Sequence, residues 1–341
     1  LENMNSFISK ASRPSFFEDN LIRKGLVLPV AIREARLRTH YIFSQQDVAA
    51  DIKSLQVNFN IPFLLRAASF VIESCREGSS NSKTLLFASR GSKLLHELTR
   101  LLVPQIPNIS SVSTRYWLSS RQANLNKSTD YINYTLSLIS GQPIFIDLNG
   151  SGVSLRIFLT QLQESLNNNL FGKIILGYHC PNSLNFTRIK YGSDDPRLID
   201  GRPAASVDNS NFIIKKIWLL ECLNYSPEGR LLDMDSCMGQ YVPRRDTYEF
   251  SPPVKRLVED QQNYAMIFIK NLVDAMQLHS IEDMISESLS NSYLQALRES
   301  FAHHECLIES IYDKNFAQED LIHEICYDKA LAEGFKNPYE T

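Results

Sequence analysis

The sequence predicts an α/β protein: a mainly parallel sheet with helices on both faces, and helical additions at its N-terminal and C-terminal ends. Three observations lead there. Short apolar runs alternate with helically spaced segments from Thr84 to Cys180, joined by short connections, the pattern of a parallel sheet covered by helices. Two of those runs end in turns of glycine and serine, "ASRGS" and "DLNGSG". On either side of this region the apolar spacing is that of helices.

Taken in order, the first ~20 residues are polar and expected to be loosely ordered. From Asp19 to Cys75 the segments "LIRKGLVLPVAIREARL", "QQDVAADIKSL" and "IPFLLRAASFVIESC" have helical spacing, with Pro29 and Pro62 marking starts or breaks. "REGSSNSK" is a polar loop. A buried strand then runs from Thr84 to Ala88, a turn from Ser89 to Ser92, and an amphipathic helix to Leu102. "VSTRYWLSS" reads as a second strand, "DYINYTLSLIS" as a helix, "PIFIDL" as a third strand, "SLRIFLTQLQESL" as its helix and "KIILGYHC" as a fourth strand. From Phe212 the spacing is helical again, interrupted by "SPEGRLLDMDSCMGQYVPRRDTYEFSPP", either a small β-excursion or a long surface loop. The expected division is a helical segment over 1–80, an α/β core over 81–210, and a mainly helical cap over 211–341.

Composition bounds the function. A chain of 341 residues, 43% hydrophobic and with a formal charge of -3, has ample material for a core. It lacks a basic stripe, so no nucleic-acid partner is expected. Cys75, Cys180, Cys222, Cys237, Cys306 and Cys326 are scattered rather than regularly spaced, which predicts reduced, mostly buried thiols. With no basic-then-apolar leader and no apolar run near ~20 residues, a soluble cytoplasmic protein without a membrane span is expected. Export by a dedicated secretion system would leave no such trace.

The two glycine turns carry the chemistry. Each puts small residues and backbone amides at a helix start after a buried strand, where the helix dipole favours an anion; a turn that only packs helix against sheet uses the same residues. A dinucleotide-binding fingerprint fails for want of the further glycine and the acid closing a following strand, and a Walker loop for want of Gly-Lys-Ser/Thr. No serine or cysteine sits in a nucleophile-elbow context. Arg121 in "LSSRQ" reads as a phosphate or base contact, or as an exposed arginine at a strand end. Tyr116 and Trp117 read as core, with nucleobase stacking the alternative, and His179, a ring near the expected cleft, reads as a turn or cap residue. His303 and Cys306, with His323 and Cys326, have spacing that could ligate zinc, but both cysteines fall on apolar helix positions where a thiol acts as a small hydrophobe; no metal site is assigned.

The pair of turns resembles the phosphoribosyltransferase superfamily. Ser89, Arg90, Gly91 and Ser92 match its pyrophosphate loop, and Ser151, Gly152, Val153 and Ser154 match its Thr-Gly-x-Thr loop with serine for both threonines. Asp147 falls on the second acidic position; Ile146 stands at the first. A narrower resemblance, from about Leu85 to Ile269, is to the phosphoribosyltransferase-like segment that follows haloacid-dehalogenase-type hydrolases in bacterial surface-polysaccharide proteins. The hydrolase signature itself is absent from the sequence.

The resemblance implies a site for phosphoribosyl pyrophosphate or a nucleotide, with Mg²⁺ carried by the diphosphate. Asn149, Gly150, Ser151, Gly152, Val153 and Ser154 would hold the 5'-phosphate, Asp147 the ribose hydroxyls, and Arg90 the departing pyrophosphate, with Ser89, Gly91, Ser92 and Arg121 lining the same site. The function implied is transfer or cleavage of a glycosidic bond. The alternative is an inactive binding or regulatory module acting through a protein partner.

Overall fold

The computed structural model describes residues 13–316 apart from 46–47, 77–81, 90, 108, 110, 127, 149–154, 156–157, 160–161, 163–173, 181–184, 192–221, 227, 229–230 and 246–250, with backbone alone at 45, 174–180, 185–191 and 312–316. The chain divides into two compact units, each assembled from separated stretches. One holds Leu1–Arg76, Glu97–Ser110 and Arg256–Ile311; the other holds Glu77–His96, Ser111–Lys255 and Tyr312–Thr341.

The second unit contains the sheet. Its strands are β1 (Lys83–Ala88), β2 (Val112–Trp117), β3 (Gln142–Asp147), β4 (Ile174–Cys180) and β5 (Asn185–Tyr191), in spatial order β2-β1-β3-β4-β5. The first four are parallel, as expected, and β5 is antiparallel to β4. β1 is buried along its whole length, as a central parallel strand must be, whereas β2, at the sheet's end, is mostly part-exposed. Gly141 starts β3 with φ +144°; a Cβ there would stand 2.3 Å from the Ser82 carbonyl oxygen, to which the next amide, that of Gln142, donates at 2.8 Å.

One face of the sheet presents Leu86, Ala88, Trp117 and Phe145 to a core shared with Tyr131, Tyr134, Phe158, Leu159 and Leu162. Trp117 meets Phe145 edge-on at 5.2 Å and donates its indole N–H to Thr135 Oγ1 at 3.0 Å, so a large buried ring has its polar atom satisfied. The core reading of Trp117 follows. The proline-rich stretch after Asn224 resolves as a β-excursion, the hairpin β6 (Leu231–Cys237) and β7 (Gln240–Arg245). Leu231 and Met234 extend the same core. Met238 and Gly239 turn the hairpin with φ 50° and 78°, the positive values that two-residue hairpin turns require. Pro243, opposite Met234, interrupts the donors of β7.

The first unit is helical: α1 (Phe16–Arg23), α2 (Pro29–Ile42), α3 (Ala50–Leu55), a π-helical turn Gln56–Asn60, α4 (Ile61–Arg76) and, later in the chain, α9 (Ile281–Leu289) and α10 (Asn291–Phe316). Helix Pro252–Gln277 (α8) enters this unit at Arg256, and helix Lys93–Leu102 (α5) at Glu97. Pro29 stands at a helix start, where its missing N–H costs nothing, whereas Pro62 lies inside the continuous run Ala50–Arg76, two residues past the π-helical turn that ends at Asn60. Ser15 and Glu18 close a capping box on α1, and Glu18, fully buried, pairs with Arg36 at 2.6 Å. The amides of Val27 and Leu28, which open α2, donate to the Glu287 carboxylate at 2.7–3.0 Å. Asn58 of the π turn accepts from the Phe17 amide at 3.1 Å, and its carbonyl accepts from Ser300 Oγ at 2.5 Å, joining α1 to α10.

Among the described residues one helical run, Ala50–Arg76, is long and apolar enough to cross a membrane, and 89% of its apolar window is buried inside the fold. The sequence reading, which divided this run at Pro62, missed its continuity. Two thiols also depart from expectation. Cys75 and Cys222 are buried, but Cys237 and Cys306 are exposed. Along α10 the buried stripe is Phe301, His304 and Ile308, spaced three and four residues apart, and Cys306 points some 200° around the helix from His304 at 100° per residue.

Candidate functional site

In an open parallel sheet, ligands bind beyond the carboxyl ends of the strands, where the strand order reverses. Here the order reverses between β1 and β3, which pair from Lys83↔Gln142 to Phe87↔Ile146. The two glycine-and-serine turns leave from these neighbouring strands. Ser89, Gly91 and Ser92 follow β1, Asp147 closes β3, and Arg121 opens helix Arg121–Asn126 (α6) just beyond β2. All of these therefore share one edge of the sheet. Arg90, Asn149, Gly150, Ser151, Gly152, Val153 and Ser154 lie outside the described residues, as do His323 and Cys326.

The hydroxyls of the first turn are spent on the scaffold. Ser89 donates its amide to the Trp117 carbonyl at 2.9 Å, donates Oγ–H to the Ser119 carbonyl at 2.7 Å, and accepts from the Ser119 amide at 2.9 Å. Ser92, fully buried, accepts from the Leu148 amide at 3.2 Å, while its carbonyl accepts from the His96 amide at 2.8 Å to open α5. One serine ties the end of β1 to β2 and the other ties it to β3. Both fix the turn on either side of position 90.

Strand alternation sorts the two positions at the end of β3. Phe145 faces the aromatic core, so Asp147, two residues on, shares that face, partly exposed at the strand end. Ile146 points to the opposite face and is fully buried. On that face Phe87, His96 and Tyr116 lie ring to ring at 5.4 and 5.9 Å, so Tyr116 is a packing residue.

A chain segment in which the sequence assigns no site residue lies along this edge. Glu228 accepts from Lys93 Nζ at 3.0 Å and from Arg245 Nη2 at 3.1 Å. Three residues beyond Glu228, the Leu231 carbonyl accepts from Ser120 Oγ at 2.6 Å; the same hydroxyl caps α6 by accepting from the Ala123 amide at 3.0 Å. Ser128 caps helix Thr129–Ser137 (α7) and donates to Asp233 Oδ1 at 2.5 Å. The hairpin is thus fastened to the caps of two helices. The only hint in the sequence was Lys93 itself, directly after "SRGS"; its partner lies 135 positions away.

Burial pushes the Tyr134 phenol up to about 12 and holds that of Tyr131 well above its usual value. Both stay protonated at neutral pH and serve as hydrogen-bonding core groups: Tyr131 donates to Asn124 Oδ1 at 2.7 Å, and Tyr134 accepts from the Leu118 amide at 2.9 Å. Neither can act as a base. No cluster of three or more metal-ligating side chains occurs among the described residues. His303 instead stacks on Phe16 at 4.1 Å, and His304 Nδ1 lies 2.8 Å from the Ser300 carbonyl. No known protein family, curated protein or solved structure matches this chain.

Proposed function

We propose that the sheet-bearing unit binds a phosphorylated ribose, phosphoribosyl pyrophosphate or a nucleotide, at the carboxyl edge between β1 and β3. The observation that carries this reading is the reversal of strand order between the two strands that bear the glycine turns. Support comes from Ser92, whose bond to the Leu148 amide holds the starts of both turns side by side. In this reading the amides and hydroxyls of 149–154 take the 5'-phosphate, Asp147 accepts from the ribose hydroxyls, and Arg90 meets the diphosphate with its planar fork. Mg²⁺ arrives with the diphosphate, since such ions are held by one or two carboxylates together with phosphate oxygens and water. Glycosyl transfer or cleavage would proceed through an oxocarbenium-like centre, its leaving pyrophosphate neutralised by Arg90.

The fully buried Ile146 favours a second reading. With one carboxylate at the end of β3, the ribose is held by fewer groups, as suits a binding or regulatory module that acts through a protein partner. Calorimetric titration with phosphoribosyl pyrophosphate and Mg²⁺ tests the first reading. Saturable binding, lost in Asp147→Ala and Gly152→Val, is expected; no heat with this ligand or any nucleotide would remove it. Binding without pyrophosphate release across a panel of bases and amines would leave the module.

A further inference from the structure

We propose that the outer face of α2 is an interface for a second copy of this chain, the two helices lying antiparallel about a twofold axis that passes between Glu34 and Leu37. This goes beyond the ligand reading above and concerns the helical unit alone. A helix packed on a core ordinarily turns polar residues to water on its far side. Helix α2 does not. Its buried face carries Ile32, Ala35 and Thr39. On the opposite side Val30, Leu37 and Tyr41 fall within about 40° of one another at 100° per residue, and they are 51%, 36% and 74% exposed. Among the described residues ten large apolar side chains stand exposed, and seven of them lie between Phe16 and Ile42, so the exposure is concentrated around this helix rather than scattered.

The spacing identifies the occupant as a helix. Val27, Val30, Glu34, Leu37 and Tyr41 follow one another at intervals of three, four, three and four residues, the a and d positions of a two-helix seam. Glu34 is the one charged member, and it pairs along its own helix with Arg38. In the antiparallel arrangement Val30 meets Tyr41 of the partner subunit, and Glu34 packs beside Leu37 of the partner subunit within reach of Arg38 of the partner subunit. The two Glu34–Arg38 pairs then lie side by side with opposite charges adjacent. The surface is complementary to itself, as a twofold contact requires. A parallel pairing would set the two Glu34 carboxylates against each other, so this residue selects the antiparallel sense at a cost in stability. It also argues against a bilayer, which would strip water from the carboxylate and offer it no fixed cation. A single pair of 14-residue helices buries less than about 1,200 Å², the size of a transient contact, so the dissociation constant is on the order of 10–100 µM.

The test is sedimentation velocity of the full chain, from well below that range to well above it, with circular dichroism to confirm that each variant is folded. Monomer is expected to pass to dimer as concentration rises. Leu37→Glu and Tyr41→Lys, both at exposed positions, should each weaken association by about tenfold or more. Glu34→Arg alone and Arg38→Glu alone should stay monomeric, because each leaves the middle of the seam with one sign of charge. An equimolar mixture of these two variants should dimerise, since opposite charges again face each other across the interface. Monomer at every concentration overturns the proposal, as does a dimer indifferent to Leu37→Glu and Tyr41→Lys, or a mixture that associates no better than its components. If the chain stays monomeric but binds vesicles of phosphatidylcholine and phosphatidylserine, and Tyr41→Lys abolishes that binding, the face is a membrane contact and the proposal falls.

Discussion

A carboxylate at position 146 would stand in the core. Ile146 is fully buried, so Ile146→Asp, which would restore the paired acids of the resembled family, should cost about 3 kcal/mol or more. Urea denaturation would show it as a lowered midpoint, and an unchanged midpoint would refute the placement. Gly141→Ala should be comparably damaging, at least about 2 kcal/mol, because it combines a positive φ with a 2.3 Å clash against backbone. At this scale the sequence was informative only where alternation decides the matter. Period-two spacing sets Asp147 and Ile146 on opposite faces. The duties of Ser89 and Ser92 were not legible, because their partners lie 30 and 56 positions away, and a hydroxyl looks alike in sequence whether it meets a ligand or a backbone amide.

Helices and strands were read more securely than their fastenings. The parallel strands after Thr84 follow from short apolar runs set between helical segments. β5 was missed although "NFTRIKY" alternates after the turn residues of "CPNS"; its mixed charged and apolar side chains gave no continuous run. Helix α2 shows why ends resist prediction. Its start carries no capping side chain of its own; Glu287, some 260 residues later, accepts its amides. Glu287→Ala should therefore cost about 1–2 kcal/mol and raise amide exchange at Val27 and Leu28. Loss of stability without local exchange would argue against capping. Cys306 was misplaced for a similar reason: in α10 the polar His304 takes the buried position, and hydropathy alone assigns that place to the cysteine.

At the scale of the whole molecule, two histidines of the helical unit add acid sensitivity. Burial is the largest cause that lowers the pKa of both His40 and His304; Lys53 and Arg36 add to it at His40, and His303 at His304, against an opposing hydrogen bond to the Ser300 carbonyl. Both rings therefore take up a proton at lower pH in the folded state than in the unfolded chain, where the ordinary value is near 6.5. Stability should be fully present above about pH 6.5 and fall as pH drops below it. His304→Gln should flatten that fall in melting temperature between about pH 7 and 5, and an unchanged slope would exclude His304 as its source. The unit boundaries have a second consequence. Leu231 and Met234 belong to the sheet's core, so a fragment spanning 81–210 should fail to fold cooperatively in circular dichroism melts, whereas the full chain should melt sharply.

The interleaving of the two units also sets a timetable for synthesis. Helix α4, apolar on nearly every side, belongs with Arg256–Ile311, and about 180 residues separate Arg76 from Arg256. At the usual pace of translation the nascent chain waits roughly 10–40 s for the covering helices to emerge. During that interval the helix has only the N-terminal helices and Glu97–Ser110 of its own unit beside it, so the face that Arg256–Ile311 will cover is open to chaperones that shield hydrophobic segments before they find their mates.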